Sequence, residues 1–172
     1  VLGSTKETIE EACRSVEGVS VANYNCPGQI IISGKLEGLE AAKEKLTEAG
    51  AKRVMPLKVS GPFHSKMLTG AGEKLAVELE PVKISEPKIP YVTNVTAEYV
   101  YKAEQVKELL AEQVSSSVRW QESVEKMIAE GVDTFVEIGP GHTLTSLIKK
   151  IDRSVTLINI EKFEDLEKLR QL

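Results

Sequence analysis

The first sixty residues alternate two amphipathic helical patterns with short β-branched runs, and no other feature narrows the fold as far. Ile9, Cys13 and Val16 recur at i, i+4 and i+7 behind Ser4-Thr5-Lys6-Glu7, a capping box with Ser4 at the cap. Gly18 ends that helix. Residues 19–24 read as a strand, Asn25-Cys26-Pro27-Gly28 as turn chemistry, and Gln29–Gly34 as the second arm of a hairpin. Leu39, Ala42, Leu46 and Ala49 mark a second helix closed by Gly50, and residues 53–59 read as another strand. With Val1-Leu2 as the end of an opening strand, the order is β-α-β-β-α-β, the split βαβ arrangement of ferredoxin-like domains. This predicts a small α+β subdomain over residues 1–60.

The pattern changes at Val59-Ser60-Gly61-Pro62-Phe63-His64-Ser65-Lys66-Met67, where Gly61-Pro62 breaks the backbone before a helix. Leu68, Ala71, Leu75 and Leu79 mark that helix, and Pro81 stops it. Residues 84–90 form an irregular link, and residues 91–95 a strand. Val106, Leu109 and Leu110 share a helical face with Gln113. Trp120, Val124, Met127 and Ile128 mark a helix ended by Gly131. Residues 134–138 and 155–160 are apolar strands on either side of a helix carrying Leu144, Leu147, Ile148 and Ile151. Phe163, Leu166 and Leu169 close the chain on a short helix. Residues 61–172 therefore read as α/β with a largely parallel sheet. Three strongly apolar strands are few for such a sheet, so the chain is expected to be part of something larger. The opening Val1-Leu2-Gly3, read as the inside of a strand, points the same way. The open sides of strands 91–95 and 134–138 are expected to be covered by further elements, a second copy or crystal contacts.

Composition removes several functions. The net charge is −4 and no basic stripe suits nucleic acid. No apolar run approaches the roughly 20 residues that span a bilayer. Cys13 and Cys26 have neither CxxC nor metal-ligand spacing, and Cys13 falls on the apolar face of its helix. Buried thiols and a cytoplasmic location are the expectation, with no metal and no cofactor.

Four features could carry chemistry. His64, one of two histidines, sits at a strand-to-helix corner where sites are often built, and imidazole titrates near neutral pH. The residues alone leave it open as a general base or as a histidine that fills a corner. Gln113 on an apolar stripe needs a partner for its amide, although Ser115-Ser116-Ser117 follows at once and an amide reaching solvent is the favoured reading. Gly139-Pro140-Gly141-His142 could offer N–H groups to an anion. It lacks both the Walker ending and GxGxxG spacing, so a tight turn is favoured. A Cys26 nucleophile served by His64 is disfavoured, because nothing in the sequence brings the two together. No Gly-x-Ser-x-Gly elbow is present.

Taken in register, the motifs resemble the C-terminal part of the malonyl-CoA:acyl-carrier-protein transacylase family over essentially all 172 residues. The resemblance is carried by Asn23-Tyr24-Asn25-Cys26-Pro27-Gly28-Gln29, by Gly50-Ala51-Lys52-Arg53 and by Gly61-Pro62-Phe63-His64-Ser65. It continues through Pro90-Tyr91-Val92-Thr93-Asn94-Val95, Gln113, Val118-Arg119-Trp120-Gln121-Glu122-Ser123-Val124 and Glu137-Ile138-Gly139-Pro140-Gly141. It implies a ferredoxin-like small subdomain followed by the C-terminal portion of an α/β-hydrolase-like large subdomain. It further implies transfer of malonyl from malonyl-CoA to the phosphopantetheine thiol of acyl carrier protein, in fatty acid biosynthesis, through a malonyl-serine.

By this resemblance His64 is the general base and the Gln113 backbone carbonyl orients its imidazole. Phe63 is the bulk that favours malonyl over methylmalonyl, and Asn25 lines the cleft. The family's Gly-His-Ser-x-Gly elbow, its malonyl-gripping arginine and its Gly-Gln-Gly segment have no counterpart here. The isolated chain is accordingly expected to be inactive and to depend on an N-terminal half of the same enzyme. Two other readings stand beside this one: a non-catalytic ferredoxin-like binding or regulatory module, and a related serine hydrolase.

Overall fold

The computed structural model describes residues 1–171. Within them the chain divides into two compact units, Val1–Ser123 and the remainder from Val124.

The first unit opens with the expected ferredoxin-like arrangement. Helix α1 spans Lys6–Arg14, β1 Val19–Cys26, β2 Gln29–Gly34 and α2 Leu36–Glu48. The β1–β2 hairpin is antiparallel, with register shifts between Val21 and Asn23 and between Tyr24 and Cys26. Leu2 bridges antiparallel to both Gln29 and Arg53. The order across the sheet is thus Arg53, Leu2, β2, β1, which is ferredoxin-like with its first and last members reduced to single bridges. Ile9, Leu46 and Ala42 are wholly buried between the helices and the sheet, with Cys13, Val21 and Ile30 around them. Two apolar helix faces on one face of a hairpin are enough to close this core.

Three local expectations change. Thr5, not Ser4, caps α1, and its hydroxyl accepts from the Thr8 N–H at 3.2 Å. The turn is tighter than expected, because Asn25 and Cys26 belong to β1 and only Pro27-Gly28 reverses the chain. The strand expected over residues 53–59 exists only as the Arg53 bridge. Pro56 has no N–H to donate, and Met55, Leu57 and Val59 are exposed. Gly50 behaves as expected. At φ 86° it closes α2 as Ala51 N–H reaches Leu46 O and Gly50 N–H reaches Thr47 O, a Schellman ending.

The rest of this unit is built on a helix pair. A 3-10 turn, Lys66–Leu68, leads into α3 (Thr69–Leu79), which packs on α4 (Ala103–Gln113). Between them, β3 (Tyr91–Val92) pairs antiparallel with β4 (Tyr99–Val100), so β3 joins a hairpin and not a parallel sheet. Sequence missed β4 because a two-residue strand has no periodicity to detect. Helix α5 (Trp120–Ala129) begins in this unit and runs into the second.

The second unit holds β5 (Thr134–Ile138), α6 (Thr143–Ile151), β6 (Thr156–Ile160) and a 3-10 helix, Phe163–Gln171. Here the parallel expectation holds: β5 and β6 pair parallel from Thr134↔Thr156 to Ile138↔Ile160. Leu147 and Ile148 of α6 are buried, while Ile138 at the end of β5 is 79% exposed.

Candidate active site

The site begins at the corner between Gly61 and the 3-10 turn. His64 has φ 56°, one of only two non-glycine residues with positive φ among those described. Positive φ is uncommon for any residue with a Cβ, although His adopts it more readily than most, and such conformations cluster at functional sites. It turns the chain sharply between Phe63 and Ser65. The buried Ser65 hydroxyl donates to Pro62 O at 2.7 Å, and Leu68 N–H donates to Ser65 O at 3.0 Å. The loop is therefore tied on both sides of His64.

Gln113 is the last residue of α4. The final carbonyls of a helix have no intrahelical partner and carry its negative end. One of these, Gln113 O, lies 3.1 Å from His64 Nδ1. A carbonyl can only accept, so Nδ1 carries the proton and Nε2 keeps the lone pair. The Gln113 side-chain amide is 3.5 Å from the same nitrogen, at the limit of hydrogen bonding. Nδ1 has no lone pair left to accept it, and the amide donates to Ser116 O at 3.3 Å.

What brings helix end and corner together is the α3–α4 contact. Gly72 on α3 faces the α4 backbone: a Cβ there would lie 2.8 Å from Ala111 O. Only glycine allows this approach. Lys107 on α4 donates to Glu80 O at the end of α3 at 2.8 Å, which fixes the register of the pair. The loop after Gln113 is held from the other side by the small sheet. Val118 N–H donates to Ala22 O at 2.8 Å and Tyr24 N–H to Val118 O at 2.9 Å. Ser117 Oγ donates to Val21 O at 2.6 Å, beside the bulge in β1.

His64 and Gln113 are thus in contact. Phe63, adjacent to His64, is 51% exposed. Asn25 lies on β1, half-buried, and among the described residues makes no hydrogen bond to His64 or Gln113. Near the Gln113 loop a cleft of ≈ 320 Å³ is lined by Lys6, Tyr24, Glu112, Ser117, Arg119 and Glu122, among others. Glu122 pairs with both Lys6 and Arg119. Burial raises its pKa, and these two cations outweigh that and hold it below the usual range.

The other candidates separate from this centre. Cys26 is 1% exposed, which removes it as an accessible nucleophile. Burial pushes the Cys13 thiol up to about 11. The Gly139–His142 segment is a tight turn, as favoured. The N-terminus of α6 is filled from within the chain, because Glu137 accepts from Leu144 N–H at 2.9 Å and Thr145 N–H at 2.7 Å. That carboxylate takes up two of the N–H groups an external anion would use. Sequence reading missed Glu137 and Ser65 as local fixers, although a carboxylate shortly before a helix start is a usable signal. No group of three His, Cys, Asp or Glu side chains among the described residues is placed to hold a metal. No helix among them is long and apolar enough to cross a membrane.

The chain belongs to the acyl transferase domain family, whose model matches residues 2–166. Among its relatives is the malonyl CoA-acyl carrier protein transacylase of Bacillus subtilis, 45% identical over 171 residues, covering 97% of this chain and 54% of that protein. The fold of the corresponding enzyme (MCAT) from Streptococcus pneumoniae superposes with a TM-score of 0.95 at 43% identity, covering 100% of this chain and 57% of that one. A malonyl-transacylase solved with a type II polyketide acyl-carrier protein superposes at 0.94 with 37% identity, covering 98% and 55%. The chain spans about half the length of the curated relatives it matches.

Proposed function

We propose that this chain supplies the general-base part of a site that moves a malonyl group from malonyl-CoA to the phosphopantetheine thiol of acyl carrier protein. The observation that carries the reading is the 3.1 Å contact between His64 Nδ1 and Gln113 O. It leaves Nε2 free to take a proton, and it sets the negative end of α4 against the side of the ring where imidazolium charge develops. A carbonyl thereby takes the orienting place that a carboxylate holds in a Ser-His-Asp triad.

In the first half-reaction Nε2 takes the proton of a serine hydroxyl as its oxygen attacks the thioester carbonyl. The proton then passes to the departing CoA thiolate. In the second, Nε2 takes the proton of the carrier's thiol, the sulfur attacks the malonyl ester, and serine recovers its proton. No Gly-x-Ser-x-Gly elbow occurs in the 172 residues, so the serine, the malonyl-binding arginine and part of the oxyanion hole come from outside them. An N-terminal half of the same enzyme is the proposed source, and on this reading residues 1–172 alone transfer no malonyl. Phe63 acts as the wall that an α-methyl on the substrate would meet, and Asn25 lines the cleft from the ferredoxin-like lobe of residues 1–60.

The test joins this chain to the portion of the Bacillus subtilis relative outside the matched region and follows malonyl transfer to carrier protein by mass. The joined protein is expected to transfer, and His64→Ala to lower its kcat about 10²–10⁴-fold. Transfer by the 172 residues alone, unchanged by His64→Ala, refutes both parts of the reading. Release of malonate to water in place of transfer would favour a hydrolase.

A further inference from the structure

We propose that Ser65 is a positioning residue for His64, an inference that rests on the reading of His64 as general base. Three observations converge on it. The Ser65 side chain is enclosed, with the residue 3% exposed, and it is one of four buried polar or charged residues among those described. Its Oγ donates to Pro62 O at 2.7 Å, spanning His64 from the far side. The residue it spans holds φ 56°, a conformation that costs free energy for any residue with a Cβ and persists where its surroundings hold it.

The chain from Pro62 to Leu68 is closed by two bonds that share Ser65. The hydroxyl bond ties back to Pro62 O, and the Ser65 carbonyl receives Leu68 N–H at 3.0 Å and starts the 3-10 turn. Ser65 itself is extended at φ −133°, ψ 159°. The left-handed residue His64 thus lies in the turn between a proline with fixed φ and an extended serine. If His64 relaxed to a right-handed conformation, its Cα–Cβ bond would swing away from α4. The 3.1 Å contact with Gln113 O would open. Gln113 holds the ring and Ser65 holds the backbone from which the ring projects. With Pro62 O left without its donor, the buried corner also loses the bond that favours the closed form. Ser65 touches no reacting atom in this scheme. It acts through the tautomer and aim of His64.

The chain has two histidines, so His142→Gln leaves His64 as the only imidazole, and its ring nitrogens can be read by ¹⁵N NMR on the whole 172-residue chain. The parent is expected to show the Nδ1–H tautomer. Ser65→Ala and Ser65→Cys are expected to lower the ratio of Nδ1–H to Nε2–H about five- to tenfold, the size of one lost hydrogen bond. Ser65→Thr, which keeps the hydroxyl on an extended residue that suits a β-branched side chain, is expected to retain it. In the joined protein the same Ala and Cys variants are expected to lower kcat by a like factor and leave KM for malonyl-CoA within about twofold. A folded Ser65→Cys chain with the parental tautomer overturns the inference, even where Ser65→Ala fails to fold. A shifted tautomer with unchanged kcat instead supports the positioning role and refutes His64 as the base.

Discussion

Gly72→Ala is the perturbation that most directly links packing to the site. The added Cβ would meet Ala111 O at 2.8 Å and the Val114 side chain at 3.7 Å. The first of these is a backbone atom, so no rotamer change relieves it. Ordinary contact begins at 3.4 Å, so α4 must retreat by about 0.6 Å. Two opposing effects set the stability change. Alanine favours the helix by about 0.8–1.0 kcal/mol over glycine. Overpacking against a fixed atom costs about 1–3 kcal/mol, and a backbone contact this short belongs to the upper part of that range. The net expectation is a loss of about 1–2 kcal/mol in denaturant unfolding.

The same retreat moves Gln113, two residues beyond Ala111. A retreat along the line of the bond would take the 3.1 Å contact with His64 to about 3.7 Å, past hydrogen-bond reach. The His64 tautomer, read by ¹⁵N NMR, is then expected to lose its Nδ1–H preference. Gly70 supplies the internal control, since it lies on the same helix with nothing within 4 Å of its would-be Cβ. Gly70→Ala is expected to stabilise by up to about 1 kcal/mol and to leave the tautomer alone. If Gly72→Ala matches Gly70→Ala in both readouts, the close approach of α3 and α4 does not set the site.

Three further outcomes are expected. Leu46→Ala empties a site that is 0% exposed in the ferredoxin-like core and should cost about 2–5 kcal/mol in unfolding free energy. Burial raises the Cys13 thiol from 9.0 to about 11 in the folded chain, so its contribution to stability is complete below pH 9 and is lost as pH rises towards 11. Cys13→Ala should flatten that limb of the stability–pH curve relative to the parent. For Glu137, desolvation raises the pKa, but the N–H groups of Thr145 and Leu144 outweigh it and hold the carboxyl below 4.5. Its support of α6 is thus present above that value and fades as pH falls through the lowered pKa. Lower exchange protection at Leu144 and Thr145 on acidification, taken relative to the intrinsic rate at each pH and absent in Glu137→Gln, is the expected reading.

The secondary structure was legible wherever a period or a turn residue carries the information. Ile9 and Cys13 on one face of α1, Leu46 on the core side of α2, and the glycine that closes α2 all follow from local chemistry. Residues 53–59 misled because an apolar run looks like a strand until it is asked what it pairs with. Only Arg53 finds Leu2, and Pro56 interrupts the rest. The Tyr99–Val100 strand is defined by its partner and not by its own two residues.

The site divides in the same way. Sequence by itself determined that the chain breaks at Gly61-Pro62 and offers His64 there, and its motifs in register tied that histidine to a family of acyl transferases. The residues alone assigned Gln113 an amide that reaches solvent. The amide instead turns back to Ser116 O, and the group that meets the imidazole is the backbone carbonyl. Every residue has such a carbonyl, so no side-chain pattern can single one out. Which carbonyl stays unpaired depends on where α4 ends, and which one faces His64 depends on how closely α3 lies against α4. A missing Cβ at Gly72 and a left-handed turn at His64 decide that distance and direction. Both are properties of packing, and they exist only once the helices have met.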